Sequence, residues 1–369
     1  MYIESISFAT KNKDNNGWKI DNCEFNKINL IAGKNASGKT RVLRATFVLV
    51  KLLRRGKFNI LPLDYYKLEI TLNHNNKSFI YSLESKNNDI IAEKLLIDNQ
   101  IYFERDQYGK GKIKYESSDN LELDFEIEKD KLLLATKRDK IQHPSLEPIF
   151  DWIKYFNVFE FGDNLGQTHT YNIQNSINEN SDDKQVVHKF NKGLEKFGDD
   201  FKHKIIKDFN SIGYNITDII IDEVSYNEFA LFIKESDTKV FQIEISQGMF
   251  RALSLIIQIT YLTYQIDSNL TILIDDIGEG LDFQRANNLI KYLVKNAEEQ
   301  KDKIQLIMTT NDRLVMNNIP LKYWIIVDKD NQGNIGFYNY KNSKTIFDKF
   351  KRIGLSNFDF FSSEYYKQR

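Results

Sequence analysis

The spacing of apolar and polar residues divides the chain into short strands, one long antiparallel run and several buried helices. Three strand-like runs open it: "YIESISFAT", "GWKIDNCEF" and "KINLIAG". The last is apolar and β-branched, as expected of a central strand covered on both faces. A glycine-containing loop follows. Then "TRVLRATFVLVKLL" is apolar almost all round, which predicts a helix buried on most sides. From about Leu68 to Glu128 the period drops to two, in "LEITLNH", "SFIYSLES", "IIAEKLLI", "IYFERD", "KIKYES" and "LDFEIE", broken by "NN", "GKG" and "SSDN". This predicts an antiparallel meander.

Residues 145 to 215 read as mainly helical, in "SLEPIFDWIKYF" and "VVHKFNKGLEKFGDDFKHKIIKDF", with the polar "NIQNSINENSDDK" between them as a loop. "ITDIIIDEV", "FALFIKE" and "VFQIEIS" are strands. A long apolar helix, "GMFRALSLIIQITYLTYQI", precedes the strand "LTILID". An amphipathic helix from Phe283 to Lys301 and the strand "QLIMTT" come next, then a hairpin turning at Asn331-Gln332-Gly333. The tail carries a helix, "SKTIFDKFKRI", and an aromatic end with Phe358, Phe360, Phe361, Tyr365 and Tyr366. That end suits either docking of another protein or packing on its own lobe.

Composition changes this picture little. The 369 residues suggest one large domain with insertions, or two lobes. A formal net charge of −1 gives no global pull toward nucleic acid or acidic membrane. Cys23 is the sole cysteine, which excludes an intrachain disulfide and a cysteine-based metal site. The start reads as a strand rather than a signal peptide, and no apolar run is long enough to span a membrane, so the expectation is a cytoplasmic protein. "KLLRRGK", Lys51 to Lys57, is either a partner-binding patch or a solvated helix end.

The strongest chemical signal is "GKNASGKT", which fits G-x-x-x-x-G-K-[ST] from Gly33 to Thr40 and sits between an apolar strand and a helix. The glycines let backbone N–H groups wrap phosphates, and the helix N-terminus favours their charge. Lys39 would reach the β- and γ-phosphates of ATP, and Thr40 would hold Mg²⁺. Lys34, Asn35, Ala36, Ser37, Gly38 and Arg41 complete the expected binding stretch. In "TILIDDIGEGLD", Asp275 ends a buried strand where a carboxylate would contact Mg²⁺. More than 230 residues separate Lys39 from Asp275, a long insertion for a compact nucleotide-binding fold. About thirty residues before the paired acids, "ISQGMFRAL" places Ser246 and Gly248 at the start of the apolar helix. There they serve as a helix cap or as a phosphate-binding loop.

With "GKNASGKT", "ISQGMFRAL", "ILIDDIGEGLD" and "LIMTTNDRL" in this order, the sequence resembles the ABC-type P-loop ATPases of the SMC, RecF and OLD kind. It is most similar to the stand-alone ATPases of bacterial anti-phage operons, encoded beside a nuclease or toxin. The resemblance implies an α/β P-loop NTPase fold of ABC-ATPase type: a mixed central sheet, an antiparallel β subdomain and an inserted, mainly helical lobe. The implied divisions are lobe I over 1–130, the inserted lobe over 131–240, lobe II over 241–345 and a tail over 346–369. It also implies a head-to-tail homodimer, with ATP held between Lys39 and Thr40 of one chain and Ser246 and Gly248 of the other. "GEGLD", ending at Asp282, corresponds to a dimer-interface loop. "TTND" corresponds to a switch loop. Gln142 corresponds to a Mg²⁺- and water-contacting glutamine, with an ordinary surface turn as the other reading.

Two positions depart from that pattern. The catalytic Glu is replaced by Asp276, one methylene shorter, and ~1 Å of misplacement costs on the order of 100-fold in rate. The switch His is replaced by Asn311, which donates hydrogen bonds but carries no proton at neutral pH. Glu279 is a nearby acid that could compensate or simply be solvated. These residues predict slow ATP hydrolysis, suited to a switch working with a separate nuclease or toxin. The sequence runs only about sixty residues past the switch loop, so the expectation is that an OLD-type nuclease domain is absent and that any destructive activity comes from a separate partner. The alternatives are a RecF-like DNA-binding repair ATPase, a transporter subunit, and a protein in which ATP is purely structural.

Overall fold

The computed structural model describes residues 1–11, 17–55, 64–116, 121–172, 183–265, 269–300 and 303–367. In chain order it begins with β1 (Tyr2–Lys11), β2 (Gly17–Glu24), β3 (Ile28–Ala32), α1 (Lys39–Thr46) and α2 (Val48–Arg55). Six strands follow: β4 (Tyr65–His74), β5 (Lys77–Lys86), β6 (Asp89–Ile97), β7 (Gln100–Arg105), β8 (Lys110–Tyr115) and β9 (Leu121–Glu126). Then come α3 (Leu133–Thr136), α4 (Glu147–Lys154), β10 (Phe156–Glu160), β11 (Tyr171–Asn172), α5 (Val186–Ser211), β12 (Asp218–Ser225), β13 (Glu228–Glu235) and β14 (Thr238–Phe241). The last stretch holds α6 (Gln247–Gln265), β15 (Leu270–Asp275), α7 (Phe283–Glu299), β16 (Ile304–Thr309), α8 (Arg313–Asn318), β17 (Trp324–Lys329), β18 (Ile335–Asn339), α9 (Lys344–Lys351) and α10 (Asn357–Ser362).

These elements form two compact units that interleave along the chain. The first comprises Met1–Asn26, Gly33–Lys154 and Ile325–Tyr338. Its strands run β17-β18-β2-β1-β4-β5-β6-β7-β8-β9, and from β4 onward each strand pairs antiparallel with the next. This is the expected meander. Period-two burial of Leu68, Ile70 and Leu72 on β4, and of Phe79, Tyr81 and Leu83 on β5, gives it one apolar face. The helix expected after the glycine loop is two helices, broken at Phe47. There the Thr46 hydroxyl donates back to the Leu43 carbonyl at 2.6 Å and the Phe47 N–H closes onto Arg44 O at 3.3 Å. Arg54 is committed to this unit: its guanidinium donates to Ile153 O at 2.5 Å, and burial lowers its pKa to about 10. Lys51 is exposed, 4.3 Å over the Phe47 ring, and Leu52 is buried; Gly56 and Lys57 lie outside the described residues.

The second unit comprises Lys27–Ala32, Tyr155–Trp324 and Asn339–Arg369. Its main sheet is parallel, in the order β10-β15-β16-β3. Along β3 and β16 every residue is buried, as the continuous apolar runs predict. β10 falls inside a stretch read from sequence as helical. "FNVFE" is too short a run for its period to separate strand from buried helix, and pairing with β15 decides it. β11, β12, β13 and β14 make a small antiparallel sheet. The strand expected over "VFQIEIS" stops at Phe241, because the buried Gln242 side chain takes over the pairing: it accepts from Leu231 N at 2.8 Å and donates to Gln167 O at 2.8 Å. Helix α5 carries a non-helical Gly198, at φ 68° and ψ −155°. The loop expected over "NIQNSINENSDDK" lies largely outside the described residues.

The tail aromatics are packed. Phe360 is 4.7 Å from Phe347 and 4.8 Å from Phe350 between ring centroids, and Tyr366 is buried. Asn357 Nδ2 fixes the tail by donating to Ile319 O at 2.9 Å. Among the described residues no helix is long and apolar enough to cross a membrane.

One buried acid holds the end of the meander. Glu93 on β6 accepts from Tyr81 Oη at 3.0 Å, Leu133 N at 2.8 Å and Leu134 N at 3.0 Å, tying the start of α3 to the sheet. Burial raises its pKa above the ordinary 4.5. The folded protein therefore keeps a proton that the unfolded chain releases, and this share of stability falls as pH rises above about 4.5. Glu93→Ala is expected to cost about 2–4 kcal/mol by orphaning buried donors. Paired denaturation curves should show a larger deficit near pH 4.5 than at pH 7.

Candidate functional site

The chain leaves β3 at Ala32 and enters the glycine loop at once, so the expected strand–loop–helix is formed. A Cβ on Gly33 would stand 2.2 Å from Ser37 Oγ and 2.8 Å from the Val327 carbonyl, so only glycine fits. Gly38, at φ 106°, caps α1, and Ala36 is also left-handed at φ 62°. Lys39 is buried, and its ammonium donates to Gly33 O at 2.9 Å and Lys34 O at 3.2 Å, which holds it against the loop. Ser37 Oγ is buried without a hydrogen-bond partner among the described residues. A buried hydroxyl in that condition costs stability unless a ligand atom satisfies it. Lys34 and Asn35 are exposed and Thr40 is half-buried. Arg41 is exposed, with its guanidinium 5.5 Å over the Trp18 ring. Gln142 lies in a turn of the same unit, where its N–H donates to Asp139 Oδ1 at 3.0 Å and its carbonyl accepts from Glu116 N at 3.1 Å.

The second unit assembles the acids. Parallel registers align Ile274 with Met308 on β16, and Thr309 with Ile31 on β3. The carboxyl ends of β15, β16 and β3 therefore finish together, the edge at which open α/β sheets bind ligands. At that edge the Thr309 hydroxyl donates to Asp275 Oδ1 and accepts from the Asp276 N–H at 2.8 Å. Asp276 turns left-handed at φ 53°, a conformation that Asp adopts more readily than Glu. Its Oδ1 accepts from Asn311 Nδ2 at 3.0 Å, so the two departures noted in the sequence are direct partners. Asp276, Gly278, Glu279, Thr310, Asn311 and Asp312 line a cleft of about 340 Å³. Glu279 is exposed on this cleft, and its carboxylate lies over Gly162, where a Cβ would meet it at 2.7 Å.

Ser246 precedes α6, its Oγ accepting from Met249 N at 3.4 Å, and so serves as a helix cap. Gly248 faces the loop after the acids, where a Cβ would stand 2.1 Å from Gly280 O. One turn on, Arg251 draws three segments together: it donates to Gly162 O at 2.6 Å, Asp163 O at 2.8 Å and Glu279 O at 3.2 Å. Asp282 accepts from Arg285 N at 3.0 Å as the cap of α7, and backbone N–H donation holds its pKa below the ordinary value.

Sequence reasoning singled out the loop residues and the acids. It passed over Thr309 and Arg251, although both lie inside quoted motifs, because neither type announces a bridging role. The residues brought together in the second unit are Asp275, Asp276, Glu279, Asn311, Ser246 and Gly248. Gly33 to Arg41 and Gln142 belong to the first unit. Among the described residues no group of three or more His, Cys, Asp or Glu could hold a metal ion by itself. Thr40 in the first unit and Asp275 in the second each carry oxygen of the hard kind that Mg²⁺ takes.

Strand, glycine loop and helix together make an α/β arrangement that carries the G-x-x-x-x-G-K-[ST] motif. No protein-family model matches the chain. It is 23% identical over 313 residues to a Helicobacter pylori (strain ATCC 700392 / 26695) protein described as an ATP/GTP phosphatase, spanning 80% of this chain and 81% of that one. Among solved structures, the SMC head domain from Thermotoga maritima aligns with a TM-score of 0.47 at 13% identity, covering 92% of this chain and 100% of that chain. The Pyrococcus furiosus Smc head domain, with an extended coiled coil and bound to the C-terminal domain of ScpA, aligns at 0.47 and 12% identity, covering 95% and 99%.

Arg251→Ala is expected to lower unfolding stability by about 2–4 kcal/mol, since three carbonyls lose a charged donor. Arg251→Lys should recover only part of this, because an ammonium cannot reproduce the planar fork. Thermal melts of the three proteins check the order.

Proposed function

We propose that this protein binds ATP with Mg²⁺ and hydrolyses it slowly, as a nucleotide-gated homodimer switch. The observation that carries the reading is the common finish of β3, β15 and β16. It puts the strand feeding the glycine loop in register with Thr309, which holds Asp275 and Asp276. The ATP/GTP phosphatase description of the Helicobacter pylori relative supports the same chemistry.

In this reading backbone N–H groups from Gly33 to Thr40 surround the phosphates, and Lys39 neutralises them. Thr40 and Asp275 hold Mg²⁺, which supplies charge neutralisation on the phosphate oxygens. Asp276 orients and deprotonates the attacking water, with its carboxylate aimed by Asn311. Gln142 and Glu279 are retained as secondary candidates for contacting Mg²⁺ and water. Ser246 and Gly248 meet the nucleotide of the partner chain, so ATP joins the dimer and hydrolysis releases it. An acid one methylene short, aimed by a group that carries no proton, makes turnover slow. Slow turnover gives a long-lived ATP state, the property a switch needs. The destructive step then belongs to a separate effector protein, a nuclease or toxin of an anti-phage system.

Light scattering and phosphate release on wild type and Asp276→Asn, with and without ATP–Mg²⁺, test this. ATP should dimerise both proteins. The substitution should cut turnover by about 100-fold or more and prolong the dimer. Unchanged turnover in Asp276→Asn removes that residue from the reaction, and monomers in ATP remove the switch.

A further inference from the structure

We propose that the outer edge of β9 docks an extended, basic segment of a partner protein by strand addition. β9 ends the strand order of its unit and pairs only with β8 among the described residues. Its N–H and C=O groups on the other side are therefore available to another strand. Natural edges are blunted with charged side chains, above all lysine, and with proline, bulges or a covering segment; the charges of β9 are all acidic, which bars another acidic edge but not a basic strand. "LELDFE" has neither lysine nor proline, and its register with β8 is unbroken from Tyr115↔Leu121 to Lys110↔Glu126. Nor is it covered: Leu121 is 55% exposed and Leu123 39%.

The two faces of the strand state what it would accept. Leu121, Leu123 and Phe125 share one face, continuing the row that contains Tyr115 and the buried Ile113 on β8. Glu122, Asp124 and Glu126 share the other face, opposite Lys114, Lys112 and Lys110. Each acid thus has a lysine directly opposite it, and among the described residues only Glu126 is within ion-pair distance of its own. Lys114 donates instead to Gln100 Oε1 at 3.1 Å, and Lys110 stands 4.0 Å from Glu126. Neither Glu122 nor Asp124 has an ion-pair partner among the described residues.

A second copy of β9 laid against the first would set acid row against acid row, and like charges directly opposite are destabilising. A strand alternating Lys or Arg with apolar residues matches both faces. β8, "KGKIKY", already has that pattern on the inner side of the same strand. Main-chain hydrogen bonds would supply affinity and the alternating side chains specificity. The mode of docking does not depend on nucleotide.

The test uses the full chain without nucleotide and two fluorescent peptides, KVKIKVK and EVEIEVE. The lysine peptide should bind saturably and slow amide hydrogen exchange over 121–126, while the glutamate peptide should not bind. Glu122→Lys with Asp124→Lys should weaken the lysine peptide by about ten-fold, from two reversed cross-strand pairs, and admit the glutamate peptide. The neutral pair Glu122→Gln with Asp124→Asn should fall between, and it serves as the readout if the reversed variant does not fold. The proposal is overturned if the lysine peptide fails to bind, if neither substitution pair changes its affinity, if exchange slows elsewhere, or if β9 mediates self-association.

Discussion

The Thr309 hydroxyl is the interaction on which the site depends. It accepts from the backbone of Asp276 and donates to the side chain of Asp275, so one group fixes both acids. Thr309 is itself fixed by register, beside Ile31 at the end of β3. A single-residue slip of β16 would turn its side chain to the other face of the sheet. β3 and β16 are buried along their whole length, so their side chains on both faces lie in packed surroundings. Sheet packing and acid geometry are thus one constraint.

A second layer of control comes from Arg251. Its position on α6 transmits the start of that helix to the loops at Gly162 and Glu279 through backbone carbonyls alone. The requirement for glycine at 248 arises from the same closeness, since α6 approaches the Gly280 carbonyl too nearly for any side chain. Movement of the loop after the acids therefore has to move the start of α6 with it. In the proposed switch, this coupling is what would convert the state of the nucleotide into a change at the dimer surface.

Much of this was legible in the sequence. The meander declared itself through a period of two, and the glycine loop through a spacing with little chance of arising otherwise. The paired acids were read correctly as a strand end. Short apolar runs were not decidable: "FNVFE" became a strand because β15 was there to pair with it. The end of β14 was hidden because a glutamine side chain replaced a backbone partner. Asp276 and Asn311 looked like two separate losses in the sequence. The hydrogen bond between them makes them one altered pair, and the left-handed turn at Asp276 gives a physical reason for the shorter acid. Thr309 and Arg251 were invisible as functional residues because their roles lie in geometry between segments distant in the chain.

The central claim is that the glycine loop binds a nucleotide through Lys39. Calorimetric titration of ATP–Mg²⁺ into wild type and Lys39→Ala tests it most directly. One nucleotide per chain is expected in wild type, and affinity weaker by about 100-fold in the variant, from loss of a buried charge partner. Absence of ATP binding in wild type, or equal affinity in a folded Lys39→Ala protein, would contradict it.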